Sequence, residues 1–136
     1  MTIINASATW VDNYRSIADN ARQHSVVLDL PTDSGGENKG PSALELAIMS
    51  LADCAVTIFA DVAYASDVPF SVLKVTAEAE KGDDSPTLTS VTLKVRVKGD
   101  ARDQKMRALW RRTEANCPVV KIFTEKIPIN AEFILE

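Results

Sequence analysis

The sequence predicts an α+β fold held in a single domain, residues 1–136. Two short stretches of alternating or β-branched residues bracket one long apolar helical run. The order of elements, three strands, a long helix, a hairpin, a helix, a short helix and a last strand, reads as α+β. No repeat, low-complexity tract or linker divides the sequence.

Residues 2–10 alternate in part (Ile4, Ala6, Ala8, Trp10), and residues 25–30 form a β-branched run that stops at Pro31. Residues 14–18 supply a middle strand, with Asp19-Asn20 as the turn into the third. Residues 31–40 hold three of the five glycines and read as a long polar loop, placed to rim a site or face a partner. A helix follows from Ser42 to about Tyr64. Pro41 precedes it, and Ser42 with Glu45 has the spacing of a capping box. Its apolar residues fall on nearly every face, from Leu44 and Leu46 to Phe59 and Val62. A helix apolar all round is buried all round, which in so small a chain points to a dimer sharing its core.

Residues 70–80 and 88–98 form a hairpin about the turn 81–86. In its second strand Val91, Leu93, Val95 and Val97 alternate with Thr92, Lys94, Arg96 and Lys98, leaving one wet face. Asp100 is expected to cap a polar helix over residues 101–115, with Met106, Leu109 and Trp110 as its apolar stripe. Pro118 suits the first turn of a further short helix. Residues 129–135 read as a last strand.

Composition narrows the function. With 46% hydrophobic and 25% charged residues and a net charge of -4, the chain reads as an ordinary soluble protein and not as a binder of nucleic acid or anionic membrane. Residues 1–10 lack the pattern of a cleaved export signal, and Glu45, Asp53 and Asp61 interrupt the longest apolar run. A cytoplasmic location is expected, where lasting disulfides are rare. No metal is expected, because two cysteines and one histidine, His24, fall short of the four ligands of a structural zinc site. His24 reads as a strand-edge residue. No cofactor is expected either, since the glycines form no phosphate-binding fingerprint.

The two cysteines are the candidates for chemistry. Cys54 lies inside the long helix, and Cys117 stands before Pro118 at a helix start. The thiolate is the reactive form, so each must be judged by what lowers its pKa. Cys117 has the free N–H groups and dipole of its own helix. Cys54 has only Asp53 beside it, which disfavours the charged form, so its activation needs a cation from elsewhere. Against these roles stands the plain reading of each: Cys54 as a core residue, Cys117 as a residue that merely precedes a proline-opened helix.

The run Gly35-Gly36-Glu37-Asn38-Lys39-Gly40-Pro41-Ser42-Ala43-Leu44-Glu45-Leu46, with Cys54 nine residues after Glu45, resembles the glycine-rich segment and first-cysteine motif of the OsmC/Ohr superfamily. Asn116-Cys117-Pro118-Val119 resembles its second-cysteine motif. Arg15, nine residues before His24 and the strand Val26-Val27-Leu28-Asp29, matches its upstream pattern. The spacing from Glu45, with Leu44 where the hydroperoxide reductases carry their glutamate, is similar to the less characterised OsmC-like branch.

The resemblance implies an intertwined homodimer, with antiparallel sheets around long central helices and active sites at the interface. It implies a thiol peroxidase: Cys54 attacks a hydroperoxide, Cys117 resolves the sulfenic acid, and an external dithiol reduces the disulfide. Arg15 then supplies the cation and Glu45 orients it. On one straight helix nine residues turn about 900°, so Glu45 faces away from Cys54 and reaches a site from the partner subunit or from a helix that begins later. The alternative is a non-enzymatic OsmC-like protein, either a binder of a small ligand or a redox sensor.

Overall fold

The computed structural model describes all of residues 1–136, and the fold is α+β. The chain divides into two compact units, Met1–Ile48 and Met49–Glu136.

The first unit is a three-stranded antiparallel meander in the order β1 (Ser7–Asp12), β2 (Arg15–Asp19), β3 (Ser25–Leu28). Strand β1 starts at Ser7 and not at residue 2, because Ser7 already pairs with Asp19, the last residue of β2. Asn13 makes the β1–β2 turn at φ 49°, and the Trp10 indole N–H donates to its carbonyl at 2.8 Å. Asparagine tolerates this left-handed backbone better than most residues. The next turn is organised by Asn20, whose side-chain oxygen accepts the N–H groups of Arg22 and His24. His24 is held there through its Nδ1, 3.0 Å from Asn20 Nδ2, as a strand-edge residue.

The loop after β3 opens with a 3-10 turn, Thr32–Ser34, closed by Gly35 at φ 93°. A Cβ on Gly36 would strike the Leu30 carbonyl, so the loop lies directly on the backbone it returns to. Helix α1 (Ala43–Ala65) then begins with the expected capping box. Ser42 Oγ accepts the Glu45 N–H at 3.1 Å, and Glu45 Oε1 accepts the Ser42 N–H at 2.9 Å.

In the second unit the remainder of α1 is the core helix. Phe59, Val62 and Ala63 are buried with Val68 and Leu109, and Phe70, Leu73, Val97, Met106 and Trp110 pack round them. Phe59 and Phe70 meet edge to face at 6.2 Å, while Tyr64 stacks on Phe70 at 6.0 Å. By length and composition alone α1 is apolar enough to cross a membrane. Here it buries one side in this core and exposes Asp53 and Asp61. Asp67, at φ 52°, ends it, and the Val68 N–H returns to the Ala63 carbonyl.

The hairpin pairs β4 (Val72–Lys81) with β5 (Leu88–Lys98) in antiparallel register. Helix α2 (Asp103–Asn116) begins two residues later than expected. Asp100 does not cap it; Arg102 occupies the cap position with no side-chain bond, and Asp103 in the first turn pairs with Arg107 at 2.7 Å. Helix α3 (Pro118–Thr124) starts on Pro118 as expected. The strand expected at residues 129–135 does not form in the single chain, because no strand lies beside it to complete its hydrogen bonds.

Candidate active site

The two cysteines come together. Cys54, half-buried on α1, and Cys117, fully buried between α2 and α3, stand 2.9 Å apart at their sulfurs as free thiols. The local sequence explains the approach. Cys117 is both the last cap of α2 and the first cap of α3, in extended backbone at φ -80° and ψ 110°. Pro118 favours that extended geometry in the residue before it and opens the next helix without needing an N–H partner. One residue therefore joins two helices, and its side chain is turned inward. Thr113, four residues earlier, is equally buried, its hydroxyl donating to the Leu109 carbonyl at 2.8 Å.

Burial pushes the Cys54 thiol above its ordinary pKa. Contact with the Cys117 thiol adds to this, as do the negative charges that Cys117 and Asp53 would carry. One group opposes them: the Val119 backbone N–H, which hydrogen-bonds the Cys54 sulfur. Pro118 has no N–H, so Val119 offers the first free amide of α3. The sequence assigns the help of this helix to Cys117; the structure directs its first available amide at Cys54.

Arg15 opens β2 in the first unit. Its Nη2 lies 2.9 Å from Glu37 Oε1 and its Nε 3.6 Å from Asp29 Oδ2. Both nitrogens are shielded from solvent and meet the carboxylates as ion pairs, out of line for hydrogen bonds. Asp29 is buried, and it accepts backbone N–H groups from Leu30 at 2.8 Å, Lys39 at 3.2 Å and Glu37 at 3.3 Å. Burial pushes its pKa up, but the three amides and the Arg15 charge outweigh that and hold the carboxyl below its ordinary value. The same carboxylate thus folds the glycine-rich loop and anchors the guanidinium.

Glu45 is engaged elsewhere. Its carboxylate sits on Ser42, whose backbone N–H and hydroxyl hold its pKa down. In this chain the carboxylates on Arg15 are Asp29 and Glu37. Neither was singled out from the sequence, although an acid directly after an apolar β-branched run, followed by an acid within a triple-glycine loop, is a usable signal. No group of three or more His, Cys, Asp or Glu side chains is placed to hold a metal ion.

A family model described as OsmC-like protein matches residues 36–132, which include Glu45, Cys54 and Cys117 and begin after Arg15. No curated protein matches the chain. Among solved structures, an OsmC-like protein from Mycoplasma pneumoniae superposes with a TM-score of 0.81 at 15% identity, covering 90% of this chain and 88% of that one. An organic hydroperoxide resistance protein OsmC from Legionella pneumophila gives 0.66 at 16% identity, covering 90% of each chain. An organic hydroperoxide resistance protein from Elizabethkingia anophelis, with thiocyanate bound, gives 0.65 at 16%, covering 90% of this chain and 88% of that one. The structural likeness establishes a common fold, and with the family match over most of its length the chain belongs to the OsmC-like protein family.

Proposed function

We propose that the protein is a cytoplasmic, homodimeric thiol peroxidase that reduces organic or small hydroperoxides through Cys54 and Cys117. The observation that carries this reading is the 2.9 Å separation of the two free sulfurs. Cys54 thiolate attacks the peroxide O–O bond, becoming a sulfenic acid and releasing an alkoxide that takes a proton to leave as alcohol. The Cys117 thiol then attacks the sulfenic sulfur, forming the disulfide and expelling water. An external dithiol returns both cysteines to thiols and is itself oxidised to a disulfide. Two solved structures of the same fold carry the name organic hydroperoxide resistance protein, which supports the substrate class.

Activation is the demanding step, because the Cys54 thiol is raised by burial and only the Val119 amide opposes this. Arg15 supplies the missing cation in this reading. Asp29 and Glu37 keep its guanidinium in place, and Glu45 acts from the helix start in an intertwined dimer with sheets around central helices. The second reading is a non-enzymatic redox sensor or small-ligand binder. The raised Cys54 thiol, little of it ionised, favours the ligand binder of these two, because a sensor needs the same thiolate as the peroxidase.

Peroxide consumption with a dithiol reductant separates these readings. The wild-type protein is expected to consume organic hydroperoxide catalytically, and Cys54→Ser is expected to fall to the rate of the dithiol alone. Equal and slow rates for both proteins would remove the peroxidase reading.

A further inference from the structure

The free thiols of Cys54 and Cys117, 2.9 Å apart at their sulfurs, are both carried on packed elements. Cys54 stands on α1 between Leu51 and Ala55, which are buried, and Cys117 is fully buried at the joint of α2 and α3. Only Cys54 is open in part to solvent. The pair is thus a short, braced dithiol with one reachable end. Such a dithiol accepts a ligand only at the spacing in which it offers its sulfurs.

Bond geometry decides which thiophilic centre fits. With bonds of about 2.3 Å, a tetrahedral zinc holds its sulfurs roughly 3.8 Å apart and asks for about four ligands, where this site offers a pair. A centre with its two sulfurs in line sets them about 4.6 Å apart at the same bond length. Either would have to spread the observed 2.9 Å by roughly 1 to 2 Å, which a close-packed interior resists. A pyramidal centre with bonds near right angles needs only about 3.3 Å at that bond length, a few tenths beyond the observed contact. Trivalent arsenic has this shape, because a lone pair fills its fourth direction.

We propose that Cys54 and Cys117 form a binding site for trivalent arsenic, taken up as the oxyacid As(OH)3. Each thiol condenses with one As–OH group. An S–As bond forms as the S–H and As–O bonds break, and the thiol proton leaves with the hydroxide as water. Two waters are released, one As–OH remains, and no atom changes its oxidation state. Protonation favours this ligand over a metal cation. Burial and its neighbours keep Cys54 a thiol, whereas a cation needs its sulfur ligands deprotonated. The arsenic hydroxide carries that proton away as water. As(OH)3 is itself uncharged near neutral pH, so it enters a half-buried site without the cost of desolvating an ion. Cys54 is met first, and Cys117 closes the ring.

The site goes beyond the peroxidase reading: it needs the pair reduced but no turnover, so binding is read without peroxide. The reduced full-length protein is titrated with sodium arsenite and, separately, with zinc chloride, and the bound species are counted by native mass spectrometry. The expected result is one arsenic per chain, released by excess small dithiol, with zinc held at least about tenfold more weakly. The second S–As bond closes within one molecule, so Cys54→Ser and Cys117→Ser are each expected to weaken arsenite binding about a hundredfold or more. Wild type oxidised to the Cys54–Cys117 disulfide, which needs no substitution, is expected to bind none. Arsenic held equally by the disulfide form or by either variant, or zinc held as tightly as arsenite, overturns the site. A chain that consumes peroxide but binds no arsenite overturns it and leaves the peroxidase. A chain that binds arsenite as expected but consumes no peroxide upholds the site and removes the peroxidase.

Discussion

The cysteine pair and the Arg15 cluster solve opposite problems. Around Cys54 and Cys117 the chain uses burial and backbone: two thiols in an apolar setting, one amide from Val119, and no cation from within their unit. Around Arg15 it uses charge: a buried carboxylate holding three amides and a guanidinium, with a second carboxylate at the loop. The first region brings reacting atoms together and leaves them weakly ionised. The second stores a positive charge and neutralises it with two acids. A peroxidase needs what each has and the other lacks, so the comparison is tested by removing one region's contribution at a time.

The largest effects belong to the sulfurs. Cys54→Ser is expected to abolish peroxide consumption. Cys117→Ser is expected to stop after about one peroxide per chain, with sulfenic acid left on Cys54 and open to trapping by a dimedone-type reagent. Mass spectrometry after brief peroxide exposure reads both results. A Cys117→Ser protein that turns over as fast as wild type would show that resolution does not pass through Cys117.

Next comes the buried carboxylate. Asp29→Asn puts an amide NH2 where carboxylate oxygens now accept N–H groups: from Leu30 on one side, and from Glu37 and Lys39 on the other. Either orientation of the amide sets donor against donor, so a clear loss of thermal stability is expected. The pH dependence has a definite sign. The Asp29 pKa is lowered on folding, so its contribution is complete above the unfolded value near 3.8 and is lost as pH falls through the lower folded value. Wild-type stability should therefore decline in acid below about pH 4, and Asp29→Asn should flatten that decline. Parallel acid unfolding curves for the two proteins would show that Asp29 is not the group responsible.

How far these regions were legible in the sequence follows from how local each one is. The capping box at Ser42 and Glu45, the alternation of β5 and the helix opened by Pro118 are fixed by neighbours a few residues apart, and the sequence shows them. The approach of Cys54 to Cys117 spans 63 residues, and a resemblance, not a periodicity, suggested it. Asp29 escaped notice because its partners are backbone amides, which no side-chain pattern reveals. The amide of Val119 was missed for the same reason, and with it the fact that α3 serves Cys54. The strand expected at residues 129–135 has the right alternation, but no strand of the chain pairs with it.

A smaller effect joins the two regions. If Arg15 lowers the pKa of Cys54 in the assembled protein, Arg15→Ala should move the pH midpoint of Cys54 alkylation upward, toward the raised value that its own surroundings impose. The alkylation rate of Cys54 against pH, followed by peptide mass spectrometry, gives this midpoint directly. An unchanged midpoint would mean that the cation of this site is not Arg15.

The smallest stability effect is expected at the helix start, and there a null result is the informative one. Ser42→Ala removes the acceptor for the Glu45 N–H and should cost about 1 kcal/mol, the usual worth of a helix cap. Glu45→Gln keeps an oxygen that can accept the Ser42 N–H, so the capping box survives and stability should change less than in Ser42→Ala. Activity can then be judged apart from folding. If Glu45 only caps α1, Glu45→Gln should leave both the peroxide rate and the Cys54 alkylation midpoint unchanged. If its charge also reaches a site across the dimer, the rate falls while the unfolding curve stays with wild type. Only the second outcome would make Glu45 a member of the site as well as the cap of a helix.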